Sequence, residues 1–226
     1  MTPIYAIEGH AFAGKTTLVK YLAKIHEFNC VGEYDSYVST TESYPPHPHK
    51  TAAIAKLDVD FFTDLDLKRE ADLKEHLFLN RPIIMDRTFL SLILFQKYTK
   101  HLNRKNEYNS YDYAKKKYLA LINSGVLSIP DFMIYLTSEN IATHNSRLAR
   151  KISSELLRSI EAYHFFNQQY SEIFQVYKNA DRLLVLSSNN TQKNLKENAL
   201  RIKNATTKPV SIVERSNIVK GIFETI

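Results

Sequence analysis

Short apolar runs alternate along the chain with longer stretches of helical periodicity, the pattern of a parallel sheet wrapped by helices. Five runs are predicted to be strands: Ile4 to Glu8, Cys30 to Tyr34, Pro82 to Asp86, Phe132 to Leu136 and Leu183 to Leu186. Helical periodicity fills the intervals at about residues 15–26, 51–79, 89–101, 112–123, 140–178 with an interruption, and 191–204. The expected fold class is therefore α/β, a doubly wound parallel five-stranded sheet flanked by helices. In such a sheet the ligand sits beyond the carboxyl ends of the strands. Glu8, Glu33, Asp86 and Thr137 fall near those ends.

Two segments lack either period. Ser43 to His49 holds three prolines in four positions, which forces an extended connection. His47 and His49 within it stand apart from any Cys or carboxylate pair, so the segment is expected to be a plain loop rather than a metal site. Arg104 to Ser110 is polar and asparagine-rich, a loop between helices. Beyond Lys208-Pro209 a weak apolar pattern returns at Val210, Ile212, Val213, Ile218, Val219, Ile222 and Phe223. This tail, residues 208–226, is expected to pack on the domain or on a second subunit, the latter making a homodimer.

Composition narrows the class. With 226 residues the chain suits a single α/β domain over 1–226. Apolar residues make up 44% and no run approaches the roughly 18 needed to span a bilayer, so no membrane partner is expected. Nothing resembling an export signal precedes the first strand, and a cytoplasmic location is the expectation. The single Cys30 cannot form an internal disulfide and reads as a buried small hydrophobe. A net charge of +6 raises nucleic-acid binding, yet Lys115-Lys116-Lys117 lies in a Tyr-rich helical segment and reads as a solvated face.

The most specific signal is Gly9-His10-Ala11-Phe12-Ala13-Gly14-Lys15-Thr16-Thr17, set between the first strand and the first helix. Gly9 and Gly14 let the backbone turn with its N–H groups facing inward, a concavity for phosphate oxygens. Lys15 supplies a cation to the β- and γ-phosphates of ATP, Thr16 offers a hydroxyl to Mg²⁺, and the helix N-terminus adds its positive end. Asp86, at the tip of the third strand, is where such a site holds the metal, and Arg87 beside it offers a bidentate fork to an acceptor or a transferring phosphoryl group. The plainer account makes Asp86 or Thr88 a cap for the helix that follows. Glu33 faces the same crevice as a candidate base for an attacking hydroxyl, with Asp35 its competitor and a solvated strand-end acid the alternative. Arg147, Arg150 and Lys151 gather in a segment expected to be a basic lid at about 140–155, closing over ATP. Tyr163, Phe165, Phe166 and Tyr170 recur at helical spacing and are read as core, and His164 as structural.

With these residues in place, the chain resembles the thymidylate kinase and deoxynucleoside kinase group of phosphate-loop kinases over residues 3 to 204. The matching elements are Gly9 to Thr17, Asp86-Arg87, Pro130 to Leu136 leading into a helix, and Arg147 to Lys151. The resemblance implies a transferase that moves the γ-phosphate of ATP to a nucleoside or nucleoside monophosphate. It places Lys15 and Thr16 at the ATP phosphates and Mg²⁺, Glu33 as base, Arg87 at the acceptor or transferring phosphate, and Arg147 and Arg150 in the lid. It forms the acceptor pocket from the segment after Glu33 and the helix 51–79, with Tyr34, Tyr37, Phe61, Phe62 and Arg69 as candidate lining. Thymidylate kinases usually carry an acid at the third loop position, where this chain has Ala11; deoxynucleoside kinases typically have an apolar residue there and a glutamate base at the end of the second strand, which Glu33 resembles. Deoxynucleoside kinases usually read Glu-Arg-Ser where it has Asp86-Arg87-Thr88. The competing expectations are the same machinery acting on a sugar, an antibiotic or another metabolite hydroxyl, and a regulatory module that hydrolyses ATP slowly.

Overall fold

Five parallel strands run in the order β2-β3-β1-β4-β5 in a computed structural model that describes residues 2–11, 13–39, 44–45, 49–102, 108–138, 159–189, 191–205 and 209–226. They are β1 (Ile4–Glu8), β2 (Asn29–Val31), β3 (Ile83–Asp86), β4 (Phe132–Ser138) and β5 (Leu183–Ser188). The described helices are α1 (Lys15–His26), α2 (Ala52–Leu77), α3 (Phe89–Leu102), α4 (Tyr111–Asn123), α5 (Ile160–Asn179), α6 (Gln192–Asn204) and α7 (Ile212–Thr225).

The central strands are apolar at nearly every position because both faces are covered. Ile4, Ala6, Ile83, Met85, Met133 and Tyr135 point into a core shared with α2 to α5 and α7. Their neighbours Tyr5, Ile7, Ile84, Ile134 and Leu136 point the other way, onto Leu18 and Leu22 of α1 and Ala199 and Ile202 of α6. Register pairs Ile7 with Asp86 and Glu8 with Tyr135, so the last residues of β1 and β3 arrive side by side.

Two expectations change, and one left open is resolved. β2 stops at Val31, paired with Met85, and Glu33 stands beyond it as the residue that opens a 3₁₀ turn, Tyr34–Ser36. The ladder ends because the Gly32 carbonyl accepts a hydrogen bond from Arg69 Nε at 3.0 Å instead. Cys30, on this edge strand, is half-buried rather than buried, and desolvation with the nearby Asp86 pushes its thiol up to about 11. The tail, whose partner the sequence leaves open, forms α7 and packs within the chain: Ile218, Val219, Ile222 and Phe223 are buried, and the Phe223 ring lies 6.1 Å from that of Phe89.

The buried face of α2 departs most from an apolar stripe, since it carries Asp58, Asp66, Arg69 and Glu70. Arg69 is 1% exposed. Besides Gly32 O it donates to Asp66 Oδ1 at 2.7 Å, Asp86 O at 2.9 Å and Arg87 O at 2.7 Å, and its guanidinium lies 4.7 Å from the centre of the Tyr34 ring. It does not line a pocket; it braces the carboxyl ends of β2 and β3. Removing one partner of a buried ion pair leaves the other charge uncompensated. Arg69→Leu is therefore expected to destabilise the fold by about 3 to 5 kcal/mol in denaturant unfolding, and a loss below about 1 kcal/mol would show that the brace is dispensable.

Candidate active site

The phosphate loop leaves β1 at Gly9, whose φ of 144° suits glycine alone. A β-carbon there would lie 2.1 Å from the Leu136 carbonyl oxygen. Gly14, at φ 94°, opens α1 in the left-handed region, and Ala13 packs into the core beneath. His10 is held in one tautomer: its Nδ1–H donates to Ala11 O at 2.8 Å and its Nε2 accepts from the Ser138 N–H at 3.4 Å. The ring centre sits 4.8 Å from that of Tyr163. Phe12 lies outside the described residues.

Lys15 begins α1 with its side chain buried, donating to Gly9 O at 3.0 Å and His10 O at 2.8 Å. Burial, with Arg87 nearby, lowers its pKa to about 7 against the pull of Asp86, Glu33 and Glu8. Thr16 Oγ1 donates to Glu33 Oε2 at 3.3 Å, and Thr17 is exposed. Glu33 Oε1 accepts from Arg87 Nε at 2.5 Å. Burial alone would raise this carboxyl, but the charges of Arg87 and Lys15 and the two hydrogen bonds outweigh it and hold it at about 2. Glu33 is thus an anion at neutral pH.

Arg87 adopts φ 72°, a left-handed conformation that costs a non-glycine residue roughly 1 to 3 kcal/mol. Its N–H donates to Ile7 O at 3.1 Å and its carbonyl is taken by Arg69, which fixes the turn. From there the guanidinium reaches Glu33, Ser91 Oγ at 3.2 Å and Gly9 O at 3.4 Å. Asp86 differs from every other acid here: it is 1% exposed, and neither carboxylate oxygen has a hydrogen-bond partner among the described residues. A buried acceptor without a donor beside a phosphate loop suits a cation. Among the described residues there is no cluster of three or more His, Cys, Asp or Glu, and the donor set fits Mg²⁺, which is commonly held by one or two protein oxygens together with substrate phosphates.

Glu8 is a site residue whose role the sequence leaves unassigned. Wholly buried, it accepts from Thr88 N at 2.6 Å, Thr88 Oγ1 at 2.7 Å, Ser91 Oγ at 2.8 Å and Tyr170 OH at 3.0 Å. The legible signal was a pair of hydroxyl residues three apart, Thr88 and Ser91, opening a helix beside a strand that ends in an acid. Thr88 thus serves Glu8 rather than capping alone.

Glu33, Arg87 and loop residues Gly9 to Ala11 border one end of a cavity of about 300 Å³. Its walls are Tyr34, Phe62, Leu92, Phe95, Phe166 and Tyr170. Tyr34 and Phe62 therefore line the pocket as expected, whereas Tyr37, Phe61 and Arg69 do not. Phe166 and Tyr170, read from spacing as core, are buried and also face the cavity. A second cavity of about 110 Å³ opens on the other side of the loop, between Gly14 and Thr17 and the polar Ser188, Thr191, Asn194 and Asn198. Arg147, Arg150 and Lys151 of the expected lid, about 140–155, lie outside the described residues. The lysine triplet is partly engaged within the chain, Lys117 with Asp60 Oδ1 at 2.6 Å and Lys115 with the Ile226 carbonyl. No described helix is long and apolar enough to cross a membrane.

A phosphate loop between two cavities, on a parallel sheet of order 2-3-1-4-5, defines a phosphate-loop nucleoside or nucleotide kinase. The chain belongs to the deoxynucleoside kinase family, whose model matches residues 5–211. Among solved structures it is similar to deoxyadenosine kinase from M. mycoides with bound dCTP, at 23% identity and a TM-score of 0.61, covering 90% of this chain and 100% of that one. Thymidylate kinase from Candida albicans matches at 13% identity and a TM-score of 0.61, with 96% and 93% covered. Thymidylate kinase from Ehrlichia chaffeensis matches at 15% identity and a TM-score of 0.51, with 89% and 96% covered. No curated protein sequence is similar enough to count as a relative.

The lowered Lys15 has a measurable consequence. With a pKa of about 7, Lys15 is mostly neutral at pH 8 in the free loop, and phosphate oxygens beside it favour the charged form. ATP binding at pH 8 is expected to take up on the order of one proton, seen as a calorimetric enthalpy that varies with the ionisation heat of the buffer. Uptake should vanish in Lys15→Ala; a buffer-independent enthalpy in the unaltered protein would mean that the lysine is charged throughout.

Proposed function

We propose that the protein transfers the γ-phosphate of ATP, with Mg²⁺, to a hydroxyl of a nucleoside rather than to a nucleoside monophosphate. The observation that carries this reading is the charge at the mouth of the large cavity. Among its described lining residues Arg87 is the one permanent cation, and it is already paired with the ionised Glu33. A phosphate group entering there would meet a carboxylate; a neutral hydroxyl would meet a hydrogen-bond acceptor. The aromatic walls suit a base and sugar. One of the solved structures similar to this chain, from M. mycoides, is by name a deoxyadenosine kinase, which supports a nucleoside acceptor.

In this reading the donor phosphates lie in the loop, on the N–H groups of Gly9 to Thr17, with the donor base toward Asn194 and Asn198. Lys15 exchanges the loop carbonyls for phosphate oxygens. Mg²⁺ would be held by Thr16 and Asp86 and would neutralise charge on the phosphates. Glu33 orients the acceptor hydroxyl and receives its proton. So acidic a carboxyl is a weak base, which suits a loose transition state in which the hydroxyl proton leaves late and orientation counts most. Arg87 supplies positive charge to the transferring group from the same end of the cavity.

Assayed with ATP and Mg²⁺, nucleosides are expected to be phosphorylated and the corresponding monophosphates not; the reverse preference would sink the reading. Glu33→Gln should lower turnover by about 10² to 10⁴ while ATP affinity stays, and retained turnover would remove the base assignment. Asp86→Asn should raise the Mg²⁺ concentration for half-maximal rate by about tenfold or more; an unchanged requirement would place the metal elsewhere.

A further inference from the structure

The far end of the acceptor cavity holds a group that the phosphoryl chemistry does not use. Asp58 of α2 lines the cavity and is 1% exposed. Its Oδ2 accepts from Gln96 Nε2 at 2.7 Å, and His49 Nε2 lies at 3.5 Å. All three side chains are buried. The two neighbours of Asp58 are fixed from behind: Gln96 Oε1 accepts from the Ser110 N–H at 3.1 Å, which sets the amide orientation, and His49 Nδ1 lies 3.2 Å from Tyr108 O. His49 lies on the loop before α2, as expected, but is buried behind Asp58 rather than exposed.

The position along the helices places this carboxylate away from the reacting end. Gln96 follows Ser91, the partner of Arg87 and Glu8, by five residues of α3, about 7 to 8 Å along the axis. Asp58 precedes Arg69 by eleven residues of α2, about 16 Å along its axis. Between the two ends stand Phe62, Leu92, Phe95 and Phe166. A nucleoside with its hydroxyl at Glu33 and its base between these apolar side chains presents the base edge to Asp58.

We infer that Asp58, held by Gln96 and His49, reads the base and selects nucleosides whose base edge carries an exocyclic amino group. The inference rests on the proposed nucleoside acceptor. A carboxylate only accepts hydrogen bonds. The amino groups of adenine, cytosine and guanine donate, whereas thymine and uracil present a carbonyl oxygen where adenine or cytosine presents its amino group. A carbonyl oxygen against Asp58 brings two acceptors together in a low-dielectric cavity, and neither can recover the water it gave up. Sites built on such a hydrogen bond discriminate strongly against analogues that lack its partner.

The test compares deoxycytidine with deoxyuridine, which differ in that one substituent, on the full chain with ATP and Mg²⁺. Deoxycytidine is expected to have the higher kcat/KM by at least about tenfold. Asp58→Asn keeps the shape and the acceptor for Gln96 but adds an N–H donor. It should bring the ratio to within about threefold or invert it, with the KM for ATP unchanged. A second pair, deoxyadenosine against its 6-unsubstituted purine analogue, asks the same of the unaltered protein if the variant does not fold. Loss of about tenfold or more with the analogue supports the inference. A ratio near one in the unaltered protein, or a ratio that Asp58→Asn leaves in place, overturns the base reading and spares the proposed function. Transfer to no nucleoside at all overturns the proposed function and takes the inference with it.

Discussion

Everything at this site hangs on a guanidinium that cannot shed its proton. Arg69 is buried where a permanent charge is costly, and it is tolerated because each of its three nitrogens donates a hydrogen bond. Three of its partners are backbone carbonyls, those of Gly32, Asp86 and Arg87, which belong to the ends of two different strands. The fourth, Asp66, is itself satisfied by Tyr118 OH at 2.7 Å and Tyr34 OH at 3.3 Å. Satisfying the charge therefore fixes the spacing between the turn that carries Glu33 and the turn that carries Arg87. The 2.5 Å contact between those two side chains is a consequence of that spacing.

Glu8 does for the negative charge what Arg69 does for the positive one. Four donors converge on it, two from Thr88 just before α3, one from Ser91 of α3 and one from Tyr170 of α5, and Ser91 also receives Arg87. The active-site charges thus form one connected set, from Tyr170 and Glu8 through Ser91 and Arg87 to Glu33 and Thr16. Such a set is aligned before substrate arrives, which is the condition under which fixed charges lower a barrier most. Asp86 is the exception, a carboxylate the network leaves without a donor, and the strained Arg87 backbone next to it is the second cost stored at the same place.

The strands, the loop and the flanking helices are legible in the sequence because each is encoded locally, by a period or by glycines at a fixed spacing. Glu33 and Asp86-Arg87 are legible for the same reason, as acids and a cation at the ends of apolar runs. The burial of Arg69, Glu8 and Asp58 is not, because a charged residue on a helix or at a strand end looks alike whether solvent or a distant buried group satisfies it. Glu8 finds its partners 80, 83 and 162 residues away. The early end of β2 is illegible too, since what stops the strand is a donor from α2 rather than anything between Val31 and Tyr34.

The departures from the related kinases keep their chemistry once the contacts are known. Thr88 stands where serine is usual, and the hydroxyl given to Glu8 is common to both residues. Asp86 carries one methylene fewer than glutamate and keeps the carboxylate at the strand end. Ala11 departs from thymidylate kinases alone, an apolar residue being typical of deoxynucleoside kinases at this position, and it borders a cavity that Glu33 and Asp58 also line. A third carboxylate there would have to be neutralised by a cation, and among the described lining residues Arg87 is committed to Glu33. The apolar Ala11 thus leaves the ion pair of Arg87 and Glu33 undisturbed by a further acid.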